Sequence, residues 1–374
     1  MPNNKKHHYV PQFYLRNFSE DSKSISLFNL KREEFYNGAP IKTQCYKDYF
    51  YGEDGEAERA LCHFETKSAQ IIREIIGTHN IPSSFTSDHV TLSFFINIQS
   101  ARTQGTADEY DEMTDRFAKH LFLRSRPEGI TAEDIAKVKI SLTNAVGESL
   151  RNAVQLYPLL LDLDLVLLLN VTNEAFITSD NPVVMYNQLL EERSFASNTG
   201  IQSVGLQIFF PLSPSCMILL LDRSVYGFGR RNQRVIQINK VGDVEQLNNL
   251  QFLAAVENIY FHQQTGDTGE ISRGFRRVKR LRRPHKTNLH SQVEKLSDTK
   301  EKELIGMYRE DIRCDLKLSF IKLMPKAKQI KEDVMYRIAC RDQGLVDEFH
   351  RFGKLVKRGY YGTADFLKYL AERG

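Results

Sequence analysis

Apolar and polar positions alternate from Ser24 to Leu30 and again up to Ile41, around the dipeptide Asn37-Gly38. That pattern predicts an early β-hairpin with its turn at Asn37-Gly38. The period then lengthens. Ala57, Leu61, Phe64, Ser68, Ile72 and Ile75 recur at helical spacing from about Glu56, and Gly77 is placed to end the helix. Glu58, Cys62 and Glu65 share a neighbouring stripe of it. Asp88 is the expected N-cap of a second helix with Phe94, Phe95, Ile98 and Ala101 on its apolar face, and Gln99 and Arg102 together on another. Further helices are expected from Ala107 to about Leu123 and from Thr131, where Thr131-Ala132-Glu133-Asp134 resembles a capping box, to about Leu156.

The pattern changes at Asp162. Leu163 to Leu168 and Ala175 to Thr178 read as two strands joined by a short turn, and the second runs into Ser179-Asp180-Asn181-Pro182. Gly205 to Pro211 and Cys216 to Asp222 add strands, and a helix opens near Asp243 with Leu247, Leu250 and Ala254 on one face. The order predicts an α+β fold: a mostly helical first half with an N-terminal hairpin, an antiparallel or mixed sheet over about 162–222, and a helical C-terminal appendage. Three parts are expected: a core over 1–270, a basic connector over 271–291 and a helical extension over 292–374.

Composition narrows the class. With 41% hydrophobic and 26% charged residues the chain can bury a substantial core. The greasiest run, Leu159 to Leu169, is broken by Asp162 and Asp164 and falls short of the roughly 20 residues of a membrane-spanning helix. The opening residues lack an apolar signal segment, so a cytoplasmic location is expected. Cys45, Cys62, Cys216, Cys314 and Cys340 show no CxxC pairing, which argues against a zinc cage and suits a reducing compartment. The formal charge of +4 is unevenly spread: eight Lys or Arg fall between Arg273 and Lys286 without an acid, leaving −4 for the rest. GxxxxGK[ST], GxGxxG and GxSxG are all absent, which disfavours phosphate-loop, dinucleotide and standard serine-hydrolase chemistry.

The densest cluster of polar chemistry stands near the beginning, in His7-His8-Tyr9-Val10-Pro11-Gln12-Phe13-Tyr14-Leu15-Arg16-Asn17-Phe18. Its aromatics can tie the terminus into the fold. Together with Gln99-x-x-Arg102-Thr103, Ser179-Asp180-Asn181-Pro182 and Pro211-Leu212-Ser213-Pro214, this stretch resembles the prokaryotic domain-of-unknown-function family 4238, over about residues 5 to 262. The resemblance implies little about activity, beyond an association of some members with mobile or antiviral neighbourhoods.

The residues themselves suggest more. Asp180 and Asn181 at a strand end can orient a water and hold a polar ligand, or else cap local backbone as an Asx turn. His7 and His8 point to opposite sides of an extended backbone, so one is expected to face a site, with His8 the candidate acid or base. His7, Gln12, Arg16, Gln99 and Arg102 are candidate substrate-binding groups; the bland alternative for the arginines is a buried pair with Glu58 or Glu65. Arg273, Arg276, Arg277, Lys279, Arg280, Arg282, Arg283 and Lys286 would grip phosphate backbones, or form a solvated linker. The expected function is a nucleic-acid-directed hydrolase, most concretely a metal-independent DNA N-glycosylase with Asp180, Asn181 and His8 at its centre. A metal-dependent nuclease using Glu65 and Asp180, and a non-catalytic nucleic-acid or nucleotide sensor, are the alternatives. No cofactor is implied. A divalent metal held by His8, Glu65 and Asp180 stays open, without short-range ligand spacing to support it.

Overall fold

The computed structural model describes residues 5–125, 129, 131–194, 196–230, 233–263, 268–282, 287–297, 300–335, 337–358 and 363–373. The terminus is tied down by β1 (Lys6–His8), which the register His7↔Lys47 pairs antiparallel with a later strand. The short helix α1 (Gln12–Leu15) then buries Tyr14 and Leu15. β2 (Ser24–Asn29) and β3 (Glu34–Pro40) form the expected hairpin, but its turn is not at Asn37-Gly38. The chain reverses over residues 30–33, with Glu33 at φ 57°. Gly38, at φ 69°, instead lies in a bulge where the register shifts between Ile25 and Leu27. A left-handed glycine serves a bulge as well as a tight turn, so the dipeptide alone does not separate the two.

β4 (Tyr46–Asp48) is the partner of β1 and leads into α2 (Glu56–Thr78), entered through Gly55 at φ 67°. α3 (Ser87–Ala101) starts slightly before Asp88: Thr86 is the N-cap and accepts from the His89 N–H, while Asp88 pairs with Lys67 at 3.1 Å. α4 (Gln104–Ser125) follows. The single helix expected from Thr131 to Leu156 is two, α5 (Ala132–Lys137), with the capping box of Thr131 and Asp134, and α6 (Ala145–Leu156). The break is a tertiary effect. Asp115 and Asp111 of α4 accept from the N–H groups of Ile140 and Leu142 at 2.8 and 3.0 Å, an extended link that replaces a helical turn, and Asn144 recaps α6.

The strands β5 (Asp164–Asn170), β6 (Thr178–Ser179), β7 (Val184–Tyr186), β8 (Gln207–Ser213), β9 (Cys216–Leu221), β10 (Tyr226–Gly227) and β11 (Val235–Ile238) come next, then α7 (Val241–Ala254) and β12 (Asn258–Phe261). β5 and β6 are neighbours in sequence but belong to different sheets. β5 lies inside a five-stranded mixed sheet of order β11-β5-β9-β8-β7, and β6 closes a four-stranded antiparallel sheet of order β3-β2-β12-β6. The crossing between sheets occurs just before Asp180.

Both faces of the five-stranded sheet are covered, which explains its nearly unbroken aliphatic strands. Leu165 and Leu167 face a core built with Tyr14, Phe18, Ile72 and Phe95. Val166 and Leu168 face a second core made by Val244 and Leu247 of α7 with Leu316, Leu318 and Val334 from the C-terminal segment. The segment expected as a flexible basic connector is mainly α8 (Thr268–Val278) and a following turn. The expected helical appendage begins with a long hairpin, β13 (Thr287–Ser297) and β14 (Lys300–Arg309). β15 (Lys322–Leu323), paired with β10, and the helices α9 (Ala327–Val334), α10 (Gln343–Lys357) and α11 (Thr363–Arg373) complete it. Its buried leucines make it part of the core packing, so the periodicity of that stretch, read alone, hides where its apolar side goes. No helix among the described residues is long and apolar enough to cross a membrane. The architecture is α+β.

Candidate functional site

The opening stretch and the end of α3 meet in a buried polar network. His7 is 1% exposed, its Nδ1 accepts from the Tyr51 N–H at 3.1 Å, and its ring stacks on Tyr51. An accepting Nδ1 places the proton of the neutral ring on Nε2. His8, on the other side of β1, donates from Nε2 to the Lys42 carbonyl at 3.3 Å, and burial lowers its pKa. Gln99 Nε2 donates to the Tyr9 carbonyl at 3.0 Å, while its Oε1 accepts from Arg102 Nε at 2.8 Å. Arg102 is 1% exposed and pairs through Nη1 with Glu65 at 2.6 Å. Its Nη2 has no hydrogen-bond partner among the described residues. Gln99 and Arg102 therefore fasten α2 and α3 to the terminus instead of facing a ligand. Burial raises the pKa of Glu58, the next acid along that stripe of α2.

Ser179-Asp180-Asn181 is a hub with each side chain turned to a different element. Ser179 Oγ donates to Gln251 of α7, and Asn181 donates from Nδ2 to the Ala254 carbonyl at 3.1 Å and accepts on Oδ1 from Thr103 at 3.1 Å. Asp180 is 3% exposed, and its carboxylate accepts from the N–H groups of Val256, Glu257 and Asn258 at 2.8, 2.7 and 2.9 Å. Burial raises its pKa above the ordinary carboxylate value, against the pull of those three amides. Arg282 clamps the same turn from outside, donating to the carbonyls of Phe252 and Ala255 at 2.7 and 2.9 Å. The arrangement gives Asp180 a structural task, organising the passage from α7 to β12, and corrects the expectation that it orients a catalytic water.

Among the expected residues that are described, Asn181 alone lines the cavity at the end of α3. That cavity has a volume of about 280 Å³ and lies between the end of α3, the start of α4, α6, β7, and the end of β14 with the residues just after it. Glu109 and Arg309 form a two-point ion pair in its wall, both contacts 2.9 Å. Gln12 and Arg16 line a separate depression of about 460 Å³ with Lys23 and Lys42, on the flank where His8 meets Lys42. The single pocket expected from sequence is thus divided among a buried network, a basic depression and the cavity beside Asn181. Among the described residues no group of three His, Cys, Asp or Glu could hold a metal, so His8, Glu65 and Asp180 do not form one ligand set.

Sequence reasoning missed the cavity residues Asn97, Ser149, Asn152 and Glu109. A signal was present: Asn97, Ser100 and Ala101 on α3, and Ser149, Asn152 and Ala153 on α6, repeat small or polar types at i, i+3, i+4. Two facing helices with such stripes cannot fill the space between them.

The basic segment has sharply divided faces. Ile271, Gly274, Phe275 and Val278 are buried, Phe275 packing on Phe28 and Phe252. Arg273, Arg276, Arg277 and Arg280 recur at the same spacing two residues on, which puts them on the opposite, exposed face of α8 and its extending turn. Arg273 lies 3.7 Å from Glu270, Arg277 pairs with Glu245 at 2.9 Å, and Lys279 pairs with Glu33. Arg282 is spent on backbone carbonyls, as above, so it leaves the expected set of phosphate ligands. Arg283 and Lys286 lie outside the described residues.

No curated protein and no solved structure matches the chain. A family model described as "Protein of unknown function (DUF4238)" matches residues 6–265, covering the terminus, the α3 network, the hub and one side of the cavity. By that match the chain belongs to the DUF4238 family.

Proposed function

We propose that this protein holds nucleic acid by its phosphate backbone, through the exposed guanidinium face of α8. The supporting observation is the opposition of faces on that helix: an apolar face anchored in the core, and on the other face three arginines, continued by Arg280 of the following turn, along about 10 Å, seven rises of about 1.5 Å. An anchored row loses less freedom on binding than a flexible tail. Its exposed ion pairs with Glu245 and Glu270 are worth little in water and exchange readily for phosphates. Such contacts carry affinity without sequence information.

The triple variant Arg273→Ala/Arg276→Ala/Arg280→Ala is expected to fold normally and to bind duplex and single-stranded DNA more weakly. The slope of log affinity against log salt should fall by about 2 to 3, following three lost phosphate contacts. Fluorescence anisotropy across a salt series reads both. Unchanged affinity and slope would remove α8 as the contact surface.

The second reading is a base-excising N-glycosylase working in the cavity beside Asn181. It is favoured by a carboxylate, Glu109, standing in the same lining as amide groups. Base excision needs a carboxylate to support a cationic sugar or position water, and amides to read the base. Incubation with plain and modified DNA is expected to yield breaks that appear only after alkali, insensitive to chelator and lost in Glu109→Gln. Intact DNA after alkali would sink this reading. The nuclease alternative, which rested on Glu65 and Asp180 in one site, has no comparable observation in its favour.

A further inference from the structure

We propose that the basic depression at the open end of the β2–β3 hairpin binds the phosphate group of a small phosphorylated molecule. Three parts of the chain build it. Gln12 and Arg16 come from α1 and the turn after it, Ser22 and Lys23 from the entry to β2, and Lys42 from the turn after β3. The Ile41 N–H donates to the Lys23 carbonyl at 2.9 Å, which holds the second and third parts together where Ser24 pairs with Pro40. The volume of about 460 Å³ falls within the range of small-molecule sites, roughly 300–1,000 Å³.

Charge is sorted around this depression. Arg16, Lys23 and Lys42 have no acidic partner among the described residues, and no acid stands in the lining. The acids closest in sequence, Glu20 and Asp21, line a neighbouring depression beside Gly38, with Ser24 common to both walls. Asp21 is turned into its own turn, where it accepts from the N–H groups of Lys23 and Ser24 at 2.8 and 2.7 Å and from the hydroxyls of Ser19 and Ser24 at 3.1 and 2.8 Å. Glu20 lies 3.9 Å from His262. Like charges gathered without an acid repel one another, and a concave surface concentrates their field on an incoming anion.

Donor capacity selects phosphate among anions. Arg16 Nη2 donates to Gln12 Oε1 at 3.4 Å, which leaves the other guanidinium N–H groups and the Gln12 Nε2 hydrogens without an acceptor among the described residues. The Ser22 hydroxyl and the two ammonium groups are in the same position. That is more than the two oxygens of a carboxylate can accept, whereas a terminal phosphate presents three oxygens and about two negative charges. A phosphodiester inside a nucleic-acid strand brings only about one.

The site stands apart from the arginine row of α8 and does not rest on the function proposed for that row. Lys279 meets Glu33 at the turn of the hairpin. Ser24 is five rises of about 3.4 Å along β2 from Asn29, which adjoins that turn, so the depression occupies the other end.

The test is calorimetry and thermal melting of the full chain with inorganic pyrophosphate, ADP and adenosine, in chelator so that no metal bridges ligand and protein. Pyrophosphate and ADP are expected to bind and to raise the melting temperature, and adenosine to bind at least tenfold more weakly than ADP. Arg16→Ala/Lys42→Ala, at exposed positions, should melt as the parent does and bind ADP at least tenfold more weakly; Lys23→Ala, on the facing wall, should weaken it severalfold. Arg273→Ala/Arg276→Ala/Arg280→Ala should bind ADP as the parent does. No binding of pyrophosphate or ADP at about 5 mM, past the millimolar end of specific affinities, overturns the proposal. Equal binding of ADP and adenosine, or full binding by the double variant, overturns it as well. So does displacement of ADP by a short DNA strand without terminal phosphates, which would give the depression to the nucleic-acid backbone.

Discussion

Asp180→Ala is expected to destabilise the protein by about 3 kcal/mol or more, the largest single loss at any residue of the Ser-Asp-Asn-Pro element. The carboxylate accepts from three consecutive N–H groups, at Val256, Glu257 and Asn258. Charge-assisted bonds of this kind contribute more than neutral ones, and a methyl group leaves all three donors without their acceptor. Partial exposure of the turn lets water recover some of that, which keeps the figure below a simple sum. Asp180→Asn retains one acceptor oxygen and should lose less, about half as much. Thermal and denaturant unfolding of both variants measure the order. A catalytic role predicts the opposite pattern: unchanged unfolding for Asp180→Ala, with activity abolished by either substitution. If Asp180→Ala unfolds like the parent protein, the structural assignment is wrong.

Glu65→Leu is expected to cost about 3–5 kcal/mol and to be worse than Arg102→Met, although both break the same ion pair. The asymmetry follows from burial. The side chain of Glu65 is 23% exposed and that of Arg102 1%. Without its partner the carboxylate of Glu65 can turn to water, whereas the guanidinium of Arg102 stays charged in the interior, with Nη2 already lacking a partner. Arg102→Met also retains much of the contact with Phe95, whose ring centre lies 5.8 Å from the guanidinium carbon. Equilibrium denaturation of both variants and the double mutant gives the order and the coupling. Equal losses would mean that water reaches Arg102 freely.

Local pattern was a good guide wherever one element decides its own shape. The helix beginning at Glu56 and the strands Gln207–Ser213 and Cys216–Leu221 follow from periodicity and punctuation, to within a residue or two at their ends, since burial of one face or both is written into the pattern. It misled where a partner distant in sequence supplies the hydrogen bonds. Asp111 and Asp115 divide the predicted long helix, and nothing between Thr131 and Leu156 announces them. β6 pairs with β12, about eighty residues on, and not with its neighbour β5. The pairing decides which sheet Asp180 ends, and so whether its carboxylate meets solvent or three amides.

The same division holds for function. Residue types and spacing by themselves determined the α+β class, the density of basic residues from Arg273 to Lys286, and the candidate polar groups at His7, Gln99, Arg102, Asp180 and Asn181. Only tertiary structure decided what those groups are for. Charged and amide side chains carry the same chemistry in a clamp and in a site, and burial together with the partner's identity separates the two uses. Arg102 and Asp180 found partners within the protein and hold it together. Asn181 found a cavity, closed by Arg309 and Ile312 from a segment that sequence periodicity had set apart from the core.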